Sequence, residues 1–184
     1  GTLWDAMSTY VEVWNRAFAE YGVDGSITSD ILLKGMGKPL NEIKEILGVQ
    51  FEINVDCDSF LQRADEIEDE IMPTMGGELY PGMVDGLKQL AKRYKLFLVS
   101  NCGENGLLNF IEFAGVKTYI TDYVSYGMNP QSKSQNILMI KDKHNLKCPI
   151  YVGDTQGDSD QAHAAGLPFV FCSYGFGKCD DYEL

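Results

Sequence analysis

Two carboxylates, Asp154 and Asp158, stand four residues apart in Gly153-Asp154-Thr155-Gln156-Gly157-Asp158, directly after the apolar run Pro149-Ile150-Tyr151-Val152. A run of that kind reads as a buried strand. Both acids then fall just past its carboxyl end, the edge of an open α/β sheet where ligands bind. Hard oxygen donors at this spacing, with Gly between them, suit Mg2+, which takes few protein oxygens and keeps its waters. The same hexapeptide also fits an Asx turn at Asp154 and a helix whose first turn is favoured by Asp158, and alone it does not choose. A calcium loop of the EF type fits poorly: it needs acids at alternate positions and a closing Glu, whereas only Asp158 and Asp160 alternate and no Glu follows.

Two other positions carry complementary chemistry. Ser100-Asn101 closes the apolar run Leu96-Phe97-Leu98-Val99, and a hydroxyl with adjacent backbone N–H groups at a strand end makes a neutral anion cradle. Taken singly, it is also an ordinary strand-to-helix turn. Lys133 opens a helical stretch in Ser132-Lys133-Ser134-Gln135-Asn136. Its ammonium can neutralise a phosphoryl oxygen, although a solvated surface lysine has the same sequence.

The elements that must hold these residues follow from periodicity. Met7, Val11, Trp14 and Phe18 recur on one helical face, as do Leu40, Ile43 and Leu47, and again Phe60, Ala64, Ile67, Ile71 and Met75. Glu66, Glu68, Asp69 and Glu70 are expected on the solvated face of the last of these helices. Val49-Gln50-Phe51-Glu52-Ile53 is ambiguous. Gly76-Gly77 and Pro81-Gly82 mark a hinge. Beyond it, Met83, Leu87, Leu90 and Tyr94 predict an amphipathic helix, and Leu96–Val99 a strand buried on both faces. Helices over Leu107–Phe113, Ile137–Lys143 and Ala162–Ala165 alternate with strands at Tyr123–Tyr126, Pro149–Val152 and Phe169–Cys172, the pattern of a parallel sheet with crossover helices.

Composition narrows the function. The chain has 184 residues, 45% of them apolar, and a formal charge of −12. Such acidity argues against nucleic acid or an anionic membrane as partner. A negative protein acting on a negative substrate must concentrate positive charge locally, through a cation or a few Lys and Arg. Five scattered cysteines without a CxxC pair predict reduced thiols. No stretch is long enough to span a bilayer and no signal peptide is visible, so a cytoplasmic location is expected.

Ser100, Lys133 and Asp154/Asp158, in that order and each at a strand or helix boundary, resemble the motifs of the haloacid dehalogenase (HAD) superfamily, most closely its phosphoglycolate-phosphatase-like branch. Leu98-Val99-Ser100-Asn101 matches the second motif and Lys133 the third. Val152-Gly153-Asp154-Thr155-Gln156-Gly157-Asp158, with Ala162 and Ala165-Gly166 after it, matches the fourth. Tyr80-Pro81-Gly82 before an amphipathic helix is similar to the same branch. The resemblance implies an α/β fold: a Rossmann-like parallel-sheet core from residues 1–7 and 78–184, and an inserted α-helical cap over 8–77. It implies Mg2+-dependent hydrolysis of a small phosphate monoester through an aspartyl-phosphate. Asp154 would hold Mg2+, Asp158 would bind it through water or orient Asp154, and Ser100, Asn101 and Lys133 would bind the phosphoryl group. The cap loop Gly35-Met36-Gly37-Lys38 is expected near the leaving group, and Tyr174-Gly175-Phe176-Gly177 flanking the site. Asp5 reads as a helix cap, Cys102 as a site neighbour without a required role, and His144 and His163 as solvated.

The family's first motif is Asp-x-Asp-Gly-Thr-Leu, and Gly1-Thr2-Leu3 matches its tail. The nucleophilic and acid/base aspartates therefore lie outside the sequence, and the natural protein is expected to carry them. A truncated, non-catalytic protein and a HAD phosphomutase remain alternatives. A dehalogenase needs no metal, which Asp154 and Asp158 argue against. A phospho-receiver signalling domain has its acids before the hydroxyl and the lysine, the reverse of the order here.

Overall fold

The structure is a computed structural model and describes residues 1–35, 38, 42–43, 45–46 and 57–184. Leu40, Leu47, the run Val49–Ile53 and Gly37 lie outside the described residues.

The chain opens with a short strand, β1 (Trp4–Asp5), and helix α1 (Met7–Tyr21). The Asp5 carboxylate accepts the Met7 N–H at 2.8 Å, the capping role expected of it. Gly22, at φ 64°, closes the helix in the left-handed conformation. Helix α2 (Ser29–Leu33) and the long α3 (Cys57–Met75) follow. The predicted stripes bury against each other: Val13, Trp14, Ala17 and Phe18 of α1 meet Phe60, Leu61, Ala64 and Ile67 of α3. The Phe60 ring lies 5.9 Å from Trp14, 5.7 Å from Phe18 and 5.4 Å from Tyr21. Burial of a ring of this size contributes on the order of 1.5–3 kcal/mol, so Phe60 fixes how α1 and α3 sit.

The return from the helical layer passes through Gly76-Gly77 into β2 (Glu78–Leu79), which pairs antiparallel with β1. Gly76 has φ 56°, and the space a Cβ would take is filled by the Phe113 ring. The Gly76 carbonyl also accepts the buried Thr9 hydroxyl at 2.7 Å, so this crossing is tightly specified.

Helices and strands then alternate as predicted: α4 (Met83–Leu90), β3 (Leu96–Ser100), α5 (Gly106–Ala114), β4 (Ile120–Ser125), α6 (Lys133–Lys143), β5 (Tyr151–Gly153), α7 (Gln156–Ala164) and β6 (Phe169–Phe171). β3 and β4 are parallel, with Ser100 opposite Ser125, and β5 and β6 are parallel, with Val152 opposite Val170. The carboxyl ends of β3 and β5 carry the two strand-end motifs. Backbone of the chain's last residues lies on β6, with Phe171 N–H donating to the Leu184 carbonyl at 2.7 Å.

Several expectations are corrected. Among the described residues the two parallel pairs are not hydrogen-bonded to each other. A groove runs between β3 and β5, bridged by the Tyr151 hydroxyl, which donates to the Val99 carbonyl at 3.0 Å. β3 is therefore half-buried throughout rather than buried on both faces, and Ile150 and Val152 are 60% and 44% exposed. For the same reason Leu90 and Tyr94, beside the groove, are exposed although Met83 and Leu87 pack inward. His144 is not solvated: it lies 2.7 Å from the Asp122 carboxylate and packs on Phe97.

Replacing Gly76 with Ala is expected to lower stability by at least about 1–2 kcal/mol, from the left-handed backbone alone, with the displacement of Phe113 added. Urea unfolding measures this, and an unchanged midpoint would contradict the packing described at the crossing.

Candidate functional site

The site is assembled at the carboxyl ends of β3 and β5. After β5, Thr155 takes an extended conformation as N-cap of α7, and a capping box closes around it. The Thr155 hydroxyl accepts the Asp158 N–H at 3.1 Å. One Asp158 oxygen accepts the Asp154 N–H at 3.2 Å, the Thr155 N–H at 3.2 Å and the Thr155 hydroxyl at 2.9 Å. A Cβ on Gly153 would stand 2.6 Å from the Asp158 Cβ, so glycine is required for this return. Thr155-x-x-Asp158 is a capping-box pattern, and Asp158 lies in the first helical turn as one reading of the hexapeptide had it.

The other Asp158 oxygen receives the Lys133 ammonium at 2.6 Å, with 8% and 7% of the two side chains exposed. Lys133 is the first residue of α6, whose N-cap Ser132 accepts the Gln135 N–H at 3.3 Å. Burial pushes the Asp158 carboxyl up, but the Lys133 ammonium and the hydrogen bonds from Lys133, Thr155 and the Asp154 backbone outweigh it and hold it below its ordinary value. Burial likewise opposes the charge on Lys133, and the Asp158 and Asp154 carboxylates reverse this and hold the ammonium above its ordinary range. Tyr151, pushed up to about 12 mainly by burial, keeps its proton for Val99. Lys133 is thus the opposite of a solvated surface lysine.

Asp154 is 5% exposed. One of its oxygens accepts the Thr2 hydroxyl at 2.7 Å and the other the Phe176 N–H at 3.0 Å. Its carbonyl accepts the Gly177 N–H at 3.2 Å. The loop Tyr174–Gly177 therefore wraps the carboxylate, and a Cβ on Gly175 would overlap it. Gly1 also packs on this carboxylate. Among the described residues no Lys or Arg pairs with Asp154. A buried carboxylate whose hydrogen bonds come from neutral donors keeps lone pairs for a hard cation, and Mg2+ uses one or two carboxylates with waters and substrate oxygens. Asp154 fits that role. Both oxygens of Asp158 are engaged, which places it behind Asp154 as an orienting group. No group of three or more His, Cys, Asp or Glu that could hold a metal forms among the described residues, so the fit rests on Asp154 with donors from elsewhere.

The Ser100 hydroxyl oxygen accepts the Cys102 N–H at 3.2 Å, which leaves its proton for an acceptor. Ser100, Asn101, Lys133, Asp154 and Asp158 all line one cavity of about 1350 Å³, which also includes the β3–β5 groove. Lys38 lies at the rim, exposed and 3.2 Å from Glu42. Burial pushes the Cys102 thiol up to about 11, so it is not a reactive thiolate.

The expected solvated face of α3 is exposed at Glu66, Asp69 and Glu70 and is corrected at Glu68. Asp69 accepts the Asn105 and Asn109 side-chain amides at 2.6 and 3.1 Å. Glu68 is half-buried and accepts the Tyr10 hydroxyl at 3.3 Å, while Glu66 and Glu70 meet Arg63 in the exposed ion pairs expected of a surface. Sequence reasoning placed the Phe176 loop beside the site but missed Thr2 and Tyr151. They act through backbone groups or contacts across 52 to 152 residues, for which no local pattern exists.

The folded-state Asp158 pKa is depressed, so its contribution to stability is full above the unfolded value, near 4, and is lost as pH falls through the folded value. Asp158→Asn is expected to flatten the acid limb of the stability curve below about pH 4. An acid limb identical to that of the parent protein would contradict the buried pair.

A family model described as haloacid dehalogenase-like hydrolase matches residues 1–172. A phosphoglycolate phosphatase of Rhodobacter capsulatus is 27% identical over 106 residues, 56% of this chain and 48% of that protein, so the match spans about half the relative's length. A predicted phosphoglycolate phosphatase from Haemophilus somnus superposes with a TM-score of 0.84 at 20% identity, covering 96% of this chain and 83% of that one. A haloacid dehalogenase-like family hydrolase from Streptococcus pneumoniae gives 0.81 at 20% identity over 97% and 83%. These two show the fold. With the family model spanning nearly all of the sequence, the chain belongs to the haloacid dehalogenase-like hydrolase family.

Proposed function

We propose that this protein is a Mg2+-dependent phosphatase acting on a small phosphorylated metabolite through an aspartyl-phosphate. The observation that carries the reading is the convergence of the buried Lys133–Asp158 pair, the shielded Asp154 carboxylate and the Ser100 hydroxyl on one cavity. The relative from Rhodobacter capsulatus supports the reaction class.

Lys133 has three donors and spends one on Asp158. The remaining two can face a phosphoryl oxygen and the attacking carboxylate. Ser100 donates its hydroxyl, and Asn101 its backbone N–H, to the other phosphoryl oxygens. These donors are fixed before substrate arrives and need no reorganisation as charge develops. Asp158 holds Asp154 through its backbone, and Asp154 would hold Mg2+, whose charge lets an anionic carboxylate approach an anionic ester. The nucleophile and the acid/base aspartate would enter on a strand leading into Gly1 and lying in the β3–β5 groove. Support for this comes from edges of the groove that are unpaired among the described residues and from exposed Ile150 and Val152, since such edges are normally covered. Residues 8–77 would serve as the cap over the core of 1–7 and 78–184, excluding water during turnover. No helix among the described residues is long and apolar enough to cross a membrane. The free thiols Cys102, Cys148, Cys172 and Cys179 favour a cytoplasmic setting.

Full-length protein carrying that strand is expected to release phosphate from p-nitrophenyl phosphate only with Mg2+. Asp154→Asn should lower kcat/KM more than the roughly 10–100-fold typical of groups behind a metal ligand, and Asp158→Asn should fall within that range. An Asp154→Asn variant with normal Mg2+-dependent turnover would sink the assignment.

A further inference from the structure

The loop that follows β6 opens on Tyr174, a residue outside the core whose side chain is nonetheless held at both ends. Tyr174 is 57% exposed. Its ring meets the Tyr80 ring edge-on at 4.7 Å, and its hydroxyl donates to the Thr2 carbonyl at 2.9 Å. The Thr2 hydroxyl in turn donates to Asp154 at 2.7 Å. The next carbonyl, that of Leu3, accepts the Tyr80 N–H at 3.3 Å. Three distant stretches of chain therefore meet at residues 2 and 3: the opening segment, the turn after β2, and the loop after β6.

The loop itself has no room to slide. A Cβ on Gly175 would overlap the Asp154 side chain, and one on Gly177 would stand 2.7 Å from the Asp154 carbonyl oxygen. The Phe176 N–H takes the Asp154 oxygen that Thr2 does not, at 3.0 Å. The loop thus controls one carboxylate oxygen directly, through Phe176, and the other indirectly, through Tyr174 and Thr2. With a donor on each oxygen the plane of the carboxylate is set, and so is the direction of its remaining lone pairs. Groups that orient a metal-holding side chain in this way commonly change metal affinity by about 10–100-fold.

We infer that Tyr174 is a positioning residue for the cation at Asp154: its hydroxyl holds Thr2, and Thr2 aims the carboxylate. This inference rests on the Mg2+ role of Asp154 in the phosphatase reading and deepens it, because an exposed tyrosine outside the phosphate cradle sets the affinity of the site for its cation.

The test measures Mg2+ binding to the full-length protein by calorimetry without substrate, phosphate release from p-nitrophenyl phosphate, and Tm in EDTA. Tyr174→Phe keeps the ring on Tyr80 and deletes only the hydroxyl. It is expected to weaken Mg2+ binding by about tenfold, while kcat at saturating Mg2+ and the metal-free Tm stay close to those of the parent. Thr2→Val is expected to weaken binding at least as much, and the double variant no more than Thr2→Val alone, because residues that act through one another do not add. Unchanged Mg2+ affinity in Tyr174→Phe overturns the inference, as do losses that add in the double variant. So does a lowered metal-free Tm with Mg2+ affinity intact, the mark of a purely structural tyrosine. A parent protein that binds Mg2+ but releases no phosphate overturns the phosphatase reading alone, and one that binds no Mg2+ overturns both.

Discussion

Lys133 and Asp158 lie 2.6 Å apart with less than a tenth of either side chain exposed. Withdrawing two charges from water costs several kcal/mol per ion, and attraction repays it only when the remaining hydrogen-bonding capacity is also met. Here it is met on the acid: three donors from Asp154 and Thr155 complete the Asp158 carboxylate. The pair thereby ties the start of α6 to the β5–α7 turn and fixes the direction in which Asp154 leaves the strand. Gly153 is required beneath it because the Asp158 Cβ occupies the space of a side chain. Removing either partner leaves an uncompensated buried charge, so the arrangement tolerates little variation.

The formal charge of −12 sets the second constraint. A protein this acidic repels phosphate esters at long range and must reverse the sign locally. One buried ammonium and neutral donors do this at the cradle, and a cation at Asp154 would complete it. Cancelling Asp158 against Lys133 also keeps that carboxylate from opposing the phosphoryl group.

Much of this was legible in sequence because the signals are local. Hydrophobic spacing placed α1, α3, α5 and the strand at Leu96, and the order of Ser100, Lys133 and Asp154/Asp158 gave the resemblance to the family. Lys133 alone was ambiguous, since burial depends on Asp158, 25 residues away. Glu68 was misplaced for a related reason. Acidic residues between apolar positions of a helix usually face water, and only the tertiary approach of Tyr10 and of the loop at residues 102–106 leaves Glu68 half-buried. The open β3–β5 groove was also invisible: an apolar run predicts a buried strand but says nothing about which neighbour covers each edge.

A double-mutant cycle on Lys133 and Asp158 tests the central claim directly. Stabilities of the parent, Lys133→Met, Asp158→Asn and the double variant are measured by urea unfolding at neutral pH. The account predicts that each single change is costly, that the double variant recovers part of the loss, and that the coupling is on the order of 2–3 kcal/mol. Single effects that add to within about 0.5 kcal/mol would contradict it, because the two residues would then not be holding each other in the interior.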